Sequence, residues 1–128
     1  MSGKARSDLA RSGWSHVAVA FLAMGSWAAF ANRAHPMPVP LLAGLVQGLI
    51  SATITLGLKR AIEALVGRLD GWAALIVPPL AACVVSASLL TTLHTAAGTP
   101  EILATMALPL TVATGYAALY TFTLWRER

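Results

Sequence analysis

Cysteine occurs once in this chain, at Cys83 inside an apolar run, so a disulfide within the chain is excluded and the redox compartment is not encoded. Charge is also scarce. Only 11% of the 128 residues are charged, five of them acidic and nine basic, and none falls inside the longest apolar runs. An exporter that couples transport to protons ordinarily keeps an ionisable group within its spans, so that class is disfavoured. The chain also has no glycine-rich loop to hold phosphate, no Cys/His spacing for a metal, and no paired carboxylates or nucleophile and base at plausible reach. Enzymatic activity and a cofactor are therefore not expected. The net charge of +4 has no basic helix face and no basic residues interleaved with aromatics, which argues against a nucleic-acid binder.

What the chain has in abundance is apolar surface. Hydrophobic residues make up 57% of it, and the mean hydropathy is +0.71. A water-soluble domain of this size could not cover such a core. Four stretches approach or reach the roughly 20 residues that cross a hydrocarbon layer, at residues 14–31, 39–58, 72–93 and 102–125. Strands cannot satisfy their backbone in lipid unless a barrel closes, so the expected fold is all-α: one integral membrane four-helix bundle over residues 1–128 with short loops.

The basic residues set an expected orientation. Lys4, Arg6, Arg11, Lys59, Arg60, Arg68, Arg126 and Arg128 fall on one side of alternating spans, against Arg33 alone on the other. The positive-inside rule then places both termini in the cytoplasm and the protein in a cell inner membrane, as a multi-pass protein. Trp14, Trp72 and Trp125 fall near the expected cytoplasmic interface and Trp27 near the opposite one. A competing reading takes Ala29-Phe30-Ala31 as a cleavage site after a secretory signal, which would leave three spans. The bulky Trp27 and Phe30 so close to that site argue against it.

The second span carries the most pattern. Gly44 and Gly48 form a G-x-x-x-G pair that Ala52 continues, giving a smooth helix face suited to close packing with another helix. Gln47, Ser51 and Thr55 make a second, polar row at the same spacing. Gln47 is the costliest uncharged side chain in an apolar interior and must face protein or water. Past Leu58, the positions Ile62, Leu65, Val66 and Leu69 give an amphipathic helix, read either as a cytoplasmic extension lying on the anionic leaflet or as a continuation packed on the bundle. Pro78, Pro79 and Pro109 each remove a helix hydrogen bond and favour kinks in the third and fourth spans.

On the side opposite the basic residues, Asn32, Arg33 and His35 share a face with His94 and Glu101. They form a candidate cluster for an anionic headgroup, or more simply an Arg33–Glu101 pair. Taken together, the residues point to a non-enzymatic membrane bundle that contacts lipid and either self-associates or joins a larger membrane complex through the Gly44/Gly48 face. The alternative is a small uncoupled transporter, lipid flippase or channel lined by Gln47, Ser51, Thr55 and the hydroxyls of later spans. A holin-like pore former is a third reading.

Overall fold

A computed structural model describes residues 2–128; the side chains of residues 6, 8–10 and 12 lie outside the description. It contains four α-helices: α1 (Gly3–Ala31), α2 (Val39–Arg68), α3 (Gly71–Ala96) and α4 (Ile102–Arg126). Each contains a segment long and apolar enough to cross a membrane, beginning at Gly13 in α1. At 1.5 Å per residue, the 25 residues of α4 extend about 37 Å, more than the roughly 30 Å of hydrocarbon.

Local chemistry sets the helix ends. Ser2 caps α1 by accepting a hydrogen bond from the Ala5 amide at 3.2 Å. Pro40 sits in the first turn of α2, where its missing N–H costs nothing. Gly71 has a φ of 57°, the left-handed conformation that lets the chain reverse in the two residues between α2 and α3. Gly98, at φ 73°, does the same in the loop before α4.

Among the described residues, α1 packs against α2 and α4 but not α3, while α2 contacts all three others. Two apolar clusters hold the interior. Ile50, Leu90 and Met106 form one, with Val46, Ile54 and Leu110 against it. Ile62, Val66, Ala82 and Ala117 form the other, with Leu58, Tyr120 and Leu124 against it.

The second cluster corrects one expectation. Residues 59–68 do not lie apart from the bundle on a membrane surface. They continue α2 without a break, and Ile62 and Val66 are buried against α3 and α4. In a membrane-spanning bundle this contact is held by close packing of Ile62 and Val66 on the small residues Ala82 and Ala117. Helices α3 and α4 also run on through Pro78, Pro79 and Pro109 without a break, and Pro78 and Pro109 are buried.

The outer surface is apolar. Leu22, Leu45, Leu56, Leu80, Leu103 and Leu119 are among the exposed side chains. Hydroxyls on that surface are satisfied within their own helix: Thr53, Ser88, Thr111 and Thr123 donate to the carbonyls of Leu49, Val84, Ala107 and Leu119. No solvent is needed to pair them.

Candidate functional site

One group of polar residues gathers at one end of the bundle, beside the two loops at residues 32–38 and 97–101; the buried Thr121 lies toward the other end, its hydroxyl without a partner among the described residues. Gln47 is fully buried on α2. Its amide nitrogen donates to Ser51 Oγ at 2.8 Å, which leaves its carbonyl oxygen to accept. His94 Nε2 on α3 lies 2.8 Å from that oxygen, and His94 Nδ1 lies 2.8 Å from Thr99 Oγ1 in the following loop. A neutral His94 therefore carries its proton on Nε2 and accepts from the Thr99 hydroxyl at Nδ1. The result is a closed chain, Ser51–Gln47–His94–Thr99, all of it buried.

A second chain lies beside it. Asn32, fully buried at the end of α1, donates through Nδ2 to Thr105 Oγ1 and to the Ala28 carbonyl, both at 2.8 Å. Its Oδ1 accepts the Glu101 amide at 3.0 Å. Glu101 in turn lies 3.0 Å from His35 Nε2, on the partly exposed rim. Trp27 Nε1 donates to the Ala104 carbonyl at 2.9 Å and closes the same end from the side.

Of the residues expected to share a headgroup cluster, Asn32, His35 and Glu101 are joined directly, and His94 is tied to the same loop through Thr99. Arg33 is not joined to them. Its guanidinium donates to the Phe30 carbonyl and lies 3.9 Å above the Phe30 ring, so the pair with Glu101 is made by His35 instead. The pairing follows reach: Arg33 folds back over its own helix end, while His35 sits in the turn that faces the second loop. Asn32 and His94, spent on internal hydrogen bonds, have no free group to offer a ligand.

The smooth face of α2 is occupied. A Cβ at Gly44 would meet the Gly25 carbonyl oxygen at 2.9 Å, and one at Gly25 would meet the Gly44 oxygen at 2.9 Å. The backbones of α1 and α2 therefore touch. A Cβ at Gly48 would meet the Phe21 ring at 2.9 Å. Ala52, half-buried, ends the row. The face expected to receive another chain is filled by α1 of the same chain, because Gly25 supplies the matching small residue. In the polar row, Gln47 and Ser51 bond to each other, and no hydrogen bond among the described residues joins Thr55 to them.

Three partners in this arrangement escape a reading by spacing alone: Thr99, Thr105 and Gly25. At the other end lies a separate association. Tyr120 Oη donates to Glu63 Oε1 at 2.5 Å, and Lys59 Nζ lies 3.3 Å from the same oxygen. Glu63 thus sits against α4 only five residues from Trp125, about 7.5 Å along the helix. The Trp72 and Trp125 rings pack in a tilted pair with centroids 5.4 Å apart, and Trp125 Nε1 donates to the Gly71 carbonyl.

Four apolar helices, an apolar outer surface and polar groups turned inward define the plan of a small multi-pass helical membrane protein. Compared with known proteins, the chain matches no family model, no curated protein and no solved structure.

Proposed function

We propose that this chain is a non-enzymatic inner-membrane protein with both termini cytoplasmic, acting as a self-associating or accessory subunit of a membrane complex. The observation that carries the reading is the pairing of the costliest polar side chains of the interior. Gln47, Ser51, His94 and Thr99 are hydrogen-bonded to one another, so Gln47 and Ser51, the first candidates to line a translocation path, are consumed in holding helices together. Buried networks of this kind fix one arrangement of helices, which suits a rigid contact element.

Since α1 covers Gly44 and Gly48, association uses another surface. The shallow hollow of α4 lined by Leu110, Thr111, Thr114, Gly115 and Ala118 is the proposed one. Small residues there, Gly115 and Ala118, allow close approach of a helix.

Crosslinking in native membranes, followed by mass determination in mild detergent, tests this. Gly115→Leu is expected to abolish an assembly that the parent chain forms. A parent chain that is monomeric in both settings, or that conducts ions across proteoliposomes with loss of flux in Gln47→Leu, overturns the reading in favour of a transporter or channel.

A further inference from the structure

The paired prolines of α3 leave backbone acceptors that the helix cannot satisfy by itself. A helix carbonyl accepts from the amide four residues on, and Pro78 has no N–H to give to Ala74. The next position, Pro79, has none either, so Ala74 cannot pass its acceptor to the wider five-residue spacing. Leu75 loses its own partner at Pro79 in the same way. Ala74 is 0% exposed and Pro78 is fully buried, which keeps the Ala74 carbonyl from bulk solvent. The indole N–H at this end, on Trp125, goes to the Gly71 carbonyl three residues earlier.

A buried donor lies at the same level on α4. Thr121 is 0% exposed, and its hydroxyl has no partner among the described residues. Neighbouring hydroxyls turn back onto their own helix, as Thr123 does onto the Leu119 carbonyl, but Thr121 does not. Register brings it to the prolines. Trp72 packs on Trp125, Leu90 lies with Met106 and Ala82 with Ala117, so the antiparallel α3 and α4 set Thr121 level with the turn from Ala74 to Pro78. Ala74, Pro78 and Ala82 form the buried stripe of α3 there, as Ala113, Ala117 and Thr121 form that of α4. From α2, Ile62 and Val66 bring no polar side-chain atom, and Glu63 is turned to Tyr120 and Lys59. A donor without an acceptor and an acceptor without a donor are thus buried at one level of two packed helices.

We infer that Thr121 and the Ala74 carbonyl form a binding site for a single buried water, which accepts from the Thr121 hydroxyl and donates to Ala74. Leaving both groups bare would cost the desolvation of each, and the two do not bond directly. Water is the smallest molecule that accepts from one and donates to the other. Its second hydrogen is available to the Leu75 carbonyl, freed beside Ala74 by the second proline. Thr121 lies four residues from Trp125, about 6 Å along the helix, so the site is close to the end of the span from which water enters. The bridge ties the proline turn of α3 to α4. It is separate from the polar clasp at the other end and from the hollow on α4.

The test joins a crystal structure of the full chain grown in lipid to thermal unfolding of variants in mild detergent. Density for one water within about 3 Å of both Thr121 Oγ1 and the Ala74 carbonyl oxygen is expected. Thr121→Ser keeps the hydroxyl and should keep that density. Thr121→Val has the same shape without the hydroxyl, and should lose the water and melt several degrees lower. The sign separates the alternatives, because a hydroxyl with no bridge is better replaced by a methyl and Thr121→Val would then melt higher. Pro78→Ala returns an amide to the Ala74 carbonyl, so in that background Thr121→Val should cost little. A structure with Thr121 Oγ1 on the Ala117 carbonyl, or a Thr121→Val melting temperature that is unchanged or raised, overturns the proposal. So does an equal loss with and without Pro78, which would mark packing of the Thr121 side chain alone.

Discussion

His94 on α3 and Gln47 on α2, separated by 47 residues in sequence, meet through a 2.8 Å hydrogen bond between Nε2 and Oε1 in a site where both side chains are fully buried. Neither residue has another way to satisfy the atoms involved, so each is the condition for the other. The Gln47→Leu variant should lose about 1–3 kcal/mol of stability, because it strands His94 Nε2 as well as Ser51. Replacing both Gln47 and His94 with Leu should recover part of that loss, since no unpaired nitrogen then remains between the helices. Thermal unfolding in detergent of the two single variants and the double variant measures the coupling. Additive losses would mean that the two residues act independently.

Asn32 makes three side-chain hydrogen bonds, one to the Ala28 carbonyl of its own helix, one to Thr105 on α4 and one from the Glu101 amide in the loop before it. Asn32→Ala should therefore free the 97–101 loop more than it disturbs α1, whose backbone bonds remain. Deuterium exchange is the direct readout: the Glu101 amide, which donates to Asn32 Oδ1, should lose protection. Asn32→Asp keeps that acceptor but removes the donation to Thr105, so it should preserve protection at Glu101 while still lowering stability by about 1 kcal/mol or more.

The glycines of α2 differ in what surrounds them, and the variants should rank accordingly. Gly44→Ala drives a methyl into the Gly25 backbone oxygen, which cannot move without shifting α1. Gly48→Ala meets only the Phe21 ring, a half-buried side chain that can shift more readily than backbone. Gly57 has nothing within 4 Å and is a helix-interior glycine, so Gly57→Ala should be neutral or stabilising by up to about 1 kcal/mol. The expected order of melting temperatures is Gly57→Ala highest, then Gly48→Ala, then Gly44→Ala. An unchanged melting temperature in Gly44→Ala would mean that α1 is not seated on α2 by backbone contact.

Much of this fold is written plainly in the chain, because membrane helices are forced to be long and apolar throughout, and four such runs are hard to misread. The continuation of α2 through Arg68 was less legible. Lys59, Arg60 and Glu63 look like the end of a span, yet Ile62 and Val66 are spaced to reach α3 and α4 from the same helix. Site residues were legible as types but not as pairs. The cost of burying Gln47 announces that it needs a partner, while nothing in the spacing of a helix names His94 on another one. The G-x-x-x-G of α2 is visible, but its partner is a single glycine in α1, with no repeat to mark it.

Orientation is the expectation with the cleanest separate test. The proposed arrangement puts Ser2 in the cytoplasm and Ala34, in the exposed turn beside Arg33, on the opposite side. In a background where Cys83 is replaced by Ala, Ala34→Cys should react with a membrane-impermeant maleimide on intact cells, and Ser2→Cys only after permeabilisation. The basis is electrostatic: eight of nine basic residues lie on the Ser2 side of the alternating spans. Moving charge should therefore move the protein. Adding Lys at Ala34 and Met37 while replacing Lys4, Arg6 and Arg11 with Gln should produce a mixed population in which some Ser2→Cys molecules are labelled from outside. If Ala34→Cys is protected in intact cells of the unaltered background and Ser2→Cys is labelled, the bundle is inverted.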